Sequence, residues 1–93
     1  MTTPETQVKS QVRDYLNIMG IYNFPLVQGL GAHKGAPDRI MHFNGVHYLE
    51  IKAPKGRLSP HQIAFQAQCE LDKIPYHVIR YLEDLQNIIE GER

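Results

Sequence analysis

Three charged residues stand out by type and spacing: Asp38, then Glu50 and Lys52 in the otherwise strand-like run Tyr48-Leu49-Glu50-Ile51-Lys52. Side chains alternate along a strand, so Glu50 and Lys52 project from one face about 6.6 Å apart, while Leu49 and Ile51 project from the other. Counted outward from a turn centred on Asn44-Gly45, residue 39 faces residue 50, which leaves Asp38 one step beyond the level of Glu50. Strand twist and side-chain reach can bring the two carboxylates together. Carboxylates held that close repel unless a cation lies between them. Hard oxygen donors, with one cysteine and no spaced histidine pair, suit Mg²⁺ or Mn²⁺ better than zinc. A lysine two residues on could orient or deprotonate a water, or stabilise charge on a phosphate in flight. The set suits metal-assisted hydrolysis of a phosphodiester. The competing reading is an exposed ion pair on an edge strand, with Asp38 a simple strand-start residue after Pro37. Against it stand the mid-chain position, the apolar opposite face and the glycines before Asp38, which allow close backbone approach to a ligand. Spacing alone leaves both open.

The elements that would position these residues follow from periodicity and punctuation. The stretch 2–20 has a Thr-Pro start, apolar positions at Val8, Val12, Tyr15, Leu16 and Met19, and Gly20 past its end, which predicts an amphipathic helix. Residues 21–28 read as a strand interrupted by Pro25, hence at a sheet edge or bent there. The glycine-rich loop 29–38 matches neither a Walker phosphate loop nor a dinucleotide fingerprint. Residues 38–43 and 46–53 flank Asn44-Gly45, a strong hairpin signal between two strand-like runs. Ser59 and Pro60 then open a helix over 58–73, with apolar residues at Ile63, Ala64, Ala67 and Leu71 as its inward face. A last strand over 75–81 and a terminal helix over 82–93 complete an α-β-β-β-α-β-α order. No repeat or linker interrupts it, so residues 1–93 read as one α/β domain.

Composition narrows the class. The chain is 42% hydrophobic and 22% charged, as ordinary globular proteins are. A domain this small buries about 60 to 65 per cent of its unfolded surface, which makes self-association plausible. No apolar run approaches the roughly 18 to 20 residues of a membrane span, and no signal core opens the chain, so a cytoplasmic protein with no membrane partner is expected. Cys69 has no disulfide partner and reads as a small, at least half-buried helix residue. Net charge is zero but uneven: from His33 to His61, Lys34, Arg39, Lys52, Lys55 and Arg57 face only Asp38 and Glu50, a local +3. His42, His47 and His61 lie in or beside this segment, toward which a polyanion would be drawn.

The order Gly-Ala-Pro37-Asp38, then Glu50-Ile51-Lys52, then Gly56-Arg57-Leu58-Ser59-Pro60-His61-Gln62 resembles the PD-(D/E)xK nuclease superfamily, and more closely its VRR-NUC (virus-type replication-repair nuclease) domains. The likeness runs from about Glu5 to Tyr81, and the third segment makes it more specific than the first two alone. It implies a restriction-endonuclease-like α/β fold, a small mixed sheet flanked by helices, with Mg²⁺ or Mn²⁺ dependence and a DNA substrate. It also implies Asp38, Glu50 and, on the first helix, Glu5 as metal ligands, the Ile51 carbonyl as a further one, Lys52 as catalytic lysine, and Gln62 on the later helix as a further catalytic residue. A first-turn glutamate such as Glu5 equally serves to compensate the helix dipole. Standalone members resemble homodimeric resolvases of four-way (Holliday) junctions, of bacterial or phage-encoded intracellular type, and a two-fold dimer suits paired cuts. Lys34, Arg39, Lys55, Arg57 and Ser59 are the candidate DNA contacts. The alternative function is a nucleic-acid-binding module of the same fold that does not cut.

Overall fold

The computed structural model of the chain describes residues 3–91, so the last two residues of the expected terminal helix lie outside the description. The elements are α1 (Pro4–Ile18), β1 (Asn23–Pro25), β2 (Arg39–His42), β3 (Val46–Ile51), α2 (Pro60–Asp72), β4 (Tyr76–Ile79) and α3 (Leu82–Gly91), in the expected order. The four strands form one sheet in sequence order. β1, β2 and β3 are antiparallel neighbours, and β4 adds parallel to β3. A parallel neighbour requires a crossover, which α2 provides. β1 ends at Pro25 and pairs only with β2, the edge position that a proline without an amide donor tolerates. Among the described residues, no helix is long and apolar enough to cross a membrane.

The core lies on one face of the sheet. Val8, Val12 and Leu16 of α1 and Leu85 and Ile89 of α3 pack with Met41, Leu49, Ile51 and Ile79. Thr3 caps α1, its hydroxyl accepting from the Thr6 amide at 3.1 Å, and Pro4 takes the first helical position, as the Thr-Pro start implied. His47 is a core histidine on this face. Its Nε2 donates to the Phe43 carbonyl at 2.8 Å and its Nδ1 meets His77 Nε2 at 2.9 Å, so its ring is satisfied within the fold. Cys69 is buried, as expected.

Two expectations need correction. The hairpin pairs His42 with Val46 and Arg39 with Leu49, one residue away from the register of a two-residue turn. Phe43, Asn44 and Gly45 together make the loop, closed by the Phe43 amide on the Gly45 carbonyl at 2.8 Å, with Asn44 at φ 54° and Gly45 at φ 111°. The shift moves Asp38 from one step beyond Glu50 to directly opposite it. The second correction concerns α2. Ile63 is 53% and Leu71 77% exposed, and Ala64 and Ala67 are exposed as well. The inward side carries Gln62, Phe65, Gln66 and Cys69, with the Phe65 ring against Tyr48 and Tyr76. Both stripes have helical spacing. Burial of an aromatic ring removes more apolar surface than burial of two alanines, and the capping of α2 fixes its rotation to match.

Candidate active site

The carboxylates meet where β2 begins and β3 ends. Asp38 is tied to the sheet end on three sides: its amide donates to Leu49 O at 3.1 Å, its carbonyl accepts from Leu26 N at 2.9 Å, and its Oδ2 accepts from the Ile51 amide at 2.7 Å. Its other oxygen, Oδ1, faces Lys9 Nζ of α1 at 3.5 Å. Glu50 stands on the face covered by α2 and is only 3% exposed. Its Oε2 accepts from Gln62 Nε2 at 3.4 Å, while its Oε1 is buried and accepts from no donor, the Asp38 carboxylate being the other polar group within hydrogen-bonding reach of Glu50. An unpartnered buried acceptor is costly, and one on a carboxylate more so.

Burial, first, and the adjacent Asp38 carboxylate, second, push the Glu50 carboxyl up to about 8, with hydrogen bonding to Asp38 adding to the rise and the charge of Lys52 opposing it. Glu50 therefore holds its proton near neutrality as long as nothing cationic joins the pair. Burial lowers the affinity of Lys9 for its proton, but Asp38 and Glu5 more than offset this and the net shift is upward. Glu50 also affects Tyr76, whose buried hydroxyl lacks a partner; desolvation and then the Glu50 charge raise its phenol well above the ordinary range.

Gln62 is aimed by the start of α2. The Ser59 hydroxyl accepts from the Gln62 amide at 3.2 Å, and Gln62 Oε1 accepts from the Ser59 amide at 2.8 Å, a capping box. With its oxygen so occupied, the side-chain amide turns its NH₂ toward Glu50. Lys52 follows β3 directly, its amide donating to Ile79 O at 3.0 Å, and its charge is felt at Glu50. Glu5 pairs with Lys9 at 3.3 Å, and its charge adds to the upward push on Glu50. Among the described residues, no three His, Cys, Asp or Glu side chains converge closely enough to enclose a metal ion. A cavity of about 180 Å³ opens beside Asp38, on the side of α1, lined in part by Lys9, Val12, Gln28, Arg39 and Ile51; Glu50 does not line it.

The candidate DNA contacts are dispersed. Lys55 and Arg57 are exposed in the loop between β3 and α2. Lys34 lines a larger groove of about 570 Å³ along α2, with His33, Tyr48, His61 and Phe65. Arg39 is half-buried and pinned to the Asn23 side-chain carbonyl, and Ser59 is engaged in the capping box. The glycine-rich loop approaches protein rather than leaving room for a ligand at Gly35, where a side chain would run into the His61 carbonyl at the start of α2.

Two residues at the site had no mark in the sequence analysis. Lys9 is one; its signal is the i, i+4 spacing from Glu5. Arg80 is the other: its Nη1 donates to Ala53 O at 2.8 Å, Gly56 O at 2.6 Å and Pro54 O at 3.4 Å, holding the loop directly after Lys52. No local pattern announces a guanidinium that reaches across from the end of β4.

A solved structure described as a VRR_NUC domain superposes with a TM-score of 0.81, covering 99% of this chain and 100% of that one. The chain has the VRR_NUC fold. At 19% identity the agreement lies in the backbone, a four-stranded mixed sheet with three helices. No family model and no curated protein matches the sequence.

Proposed function

We propose that residues 1–93 form one nuclease domain of VRR-NUC type, a Mg²⁺- or Mn²⁺-dependent endonuclease that hydrolyses phosphodiesters in branched DNA such as four-way junctions. The observation that carries this reading is the directly opposed Asp38–Glu50 pair, Asp38 half-buried and Glu50 buried, with Glu50 Oε1 accepting from no donor. Such a pair fits a divalent cation. The cavity of about 180 Å³ beside Asp38 is large enough to admit water to that carboxylate. Mg²⁺ commonly keeps several waters and takes one or two carboxylates from the protein, so a third acidic ligand is not required.

Asp38 and Glu50 would hold the ion, with the Ile51 carbonyl as backbone ligand and Glu5 adding negative charge from the first turn of α1. When bound, the ion would lower the pKa of a water and offset charge on the phosphate. Gln62 steadies Glu50 in its ionised form by donating to Oε2. Lys52 supplies a donor to the attacking water or the scissile phosphate. Arg80 keeps the segment after Lys52 in place. Lys34, Lys55 and Arg57 offer charge to the DNA backbone from the loops around the site. Arg39 and Ser59, committed to internal bonds, contribute by shaping the cleft. A homodimer belongs to the proposal, and the exposed apolar residues of α2 are surface that such pairing would bury.

The test incubates the protein with labelled four-way, flap, splayed and linear duplex DNA in Mn²⁺ or in EDTA, alongside a measurement of solution mass. Mn²⁺-dependent cuts are expected, with Lys52→Ala abolishing cleavage while junction binding persists. Cleavage retained in pure Lys52→Ala protein counts against the role given to that lysine. The second reading, a module that binds nucleic acid without cutting, has one observation in its favour, that Lys9 faces the oxygen of Asp38 a metal would use. Under that reading, binding is salt-dependent and no cuts appear with either additive.

A further inference from the structure

Lys9 makes two contacts of different kinds. Its ion pair with Glu5, at 3.3 Å, is the ordinary i, i+4 pairing on one helix, in the favourable order with glutamate first. Its contact with Asp38 Oδ1, at 3.5 Å, leaves the helix and ends on the carboxylate opposed to Glu50. Asp38 has two oxygens and both are engaged. Oδ2 takes the Ile51 amide at 2.7 Å, a bond to rigid backbone at the end of the sheet. Oδ1 takes an ammonium on a flexible stem whose side chain is 44% exposed. An ion shared with Glu50 needs an oxygen from Asp38, and the bond that yields at least cost is the one to Lys9.

Charge leads the same way. With Glu50 protonated, Glu5 and Asp38 balance Lys9 and Lys52; a divalent ion that ionises Glu50 would leave the cluster net positive with both lysines in place. Withdrawal of the Lys9 head into water relieves this, and its exposed stem allows the movement. Lys9 and Asp38 line the same cavity, so the ammonium and the carboxylate it pairs with border one solvent-accessible space.

The geometry points to Lys9 as a resident counter-ion of Asp38 that a divalent metal must displace, so that metal uptake is an exchange of one cation for another. This rests on the metal-site reading above. Lys9 then holds the carboxylate in place before the metal arrives and competes with it afterwards. It is a positioning residue.

The test titrates metal-free protein with Mn²⁺ at low ionic strength and follows the free ion by its paramagnetic resonance signal. Lys9→Met keeps the aliphatic stem and removes the charge; Lys9→Gln serves the same purpose if the first variant folds poorly by circular dichroism. Binding roughly two- to fivefold tighter than wild type is expected, a range set by the modest worth of a half-exposed ion pair. Lys9→Arg, which retains a competing cation, should stay close to wild type. Uncharged variants that bind Mn²⁺ no more tightly than wild type, or more weakly, overturn the exchange and leave the metal site standing. Wild-type protein that takes up no Mn²⁺, or whose uptake is unchanged by Asp38→Asn, removes the metal site and the exchange together.

Discussion

Glu50→Gln offers a direct probe of the buried pair, because the change keeps the shape of the side chain and removes its charge. The ordinary carboxyl value of 4.5 becomes about 8 in the folded chain. At about 1.36 kcal/mol for each pH unit, that gap is worth about 5 kcal/mol if nothing relaxes. Water at the cleft and rearrangement of Asp38 and Lys52 screen the site, and roughly half, about 2 kcal/mol, is the expected effect. The sign follows from which state loses its proton first. Below 4.5 both states keep it and the stability is fully present. As the pH rises the unfolded chain ionises first, so stability falls until the folded carboxyl ionises near 8, and the loss is then complete. Urea unfolding in EDTA from about pH 5 to about pH 9 should show wild type losing about 2 kcal/mol relative to Glu50→Gln. The difference between the two proteins removes the contribution of the histidines. Saturating Mn²⁺ should flatten the wild-type profile, because the ionised form then has a partner. Parallel profiles in EDTA, within about 0.5 kcal/mol, would refute the placement of Glu50 in a dry site beside a second carboxylate.

Arg80→Leu should cost about 2 kcal/mol in chemical denaturation, since it strips the donor from three carbonyls of the loop after Lys52, and should lower cleavage more than DNA binding. Gly35→Ala combines a φ of +82° with a collision against the His61 carbonyl, and a loss of about 2 kcal/mol or more is expected. Gly31→Ala has a similar φ of +87° but open space around it, so its loss should be about 1 kcal/mol, and equal losses in the two variants would show that the loop is not docked on α2.

Much of this fold is written in local chemistry. Thr3-Pro4 and Ser59-Pro60 mark helix starts because a hydroxyl cap and a donor-less first residue solve the same problem at both. Asn44-Gly45 marks the hairpin because both residues take positive φ. The positions of Asp38 and Glu50 at the open end of that hairpin follow from it. What local chemistry leaves open is decided at a distance. The exact pairing depends on whether Phe43 joins the turn, a matter of one residue that moves Asp38 level with Glu50. The rotation of α2 depends on Phe65 finding Tyr48 and Tyr76, on strands far along the chain. Lys9 and Arg80 act on residues 29 and 24 to 27 positions away, where no periodicity reaches.

The tip at Asn44-Gly45 lies at the far end of its two strands from Asp38, about 20 Å off by the rise of an extended chain. Both residues are exposed. An inserted fluorophore-bearing peptide or affinity handle would therefore sit on the handle of the tool rather than its blade. Such a graft gives a spectroscopic reporter of chain integrity that leaves the Asp38–Glu50 end uncovered.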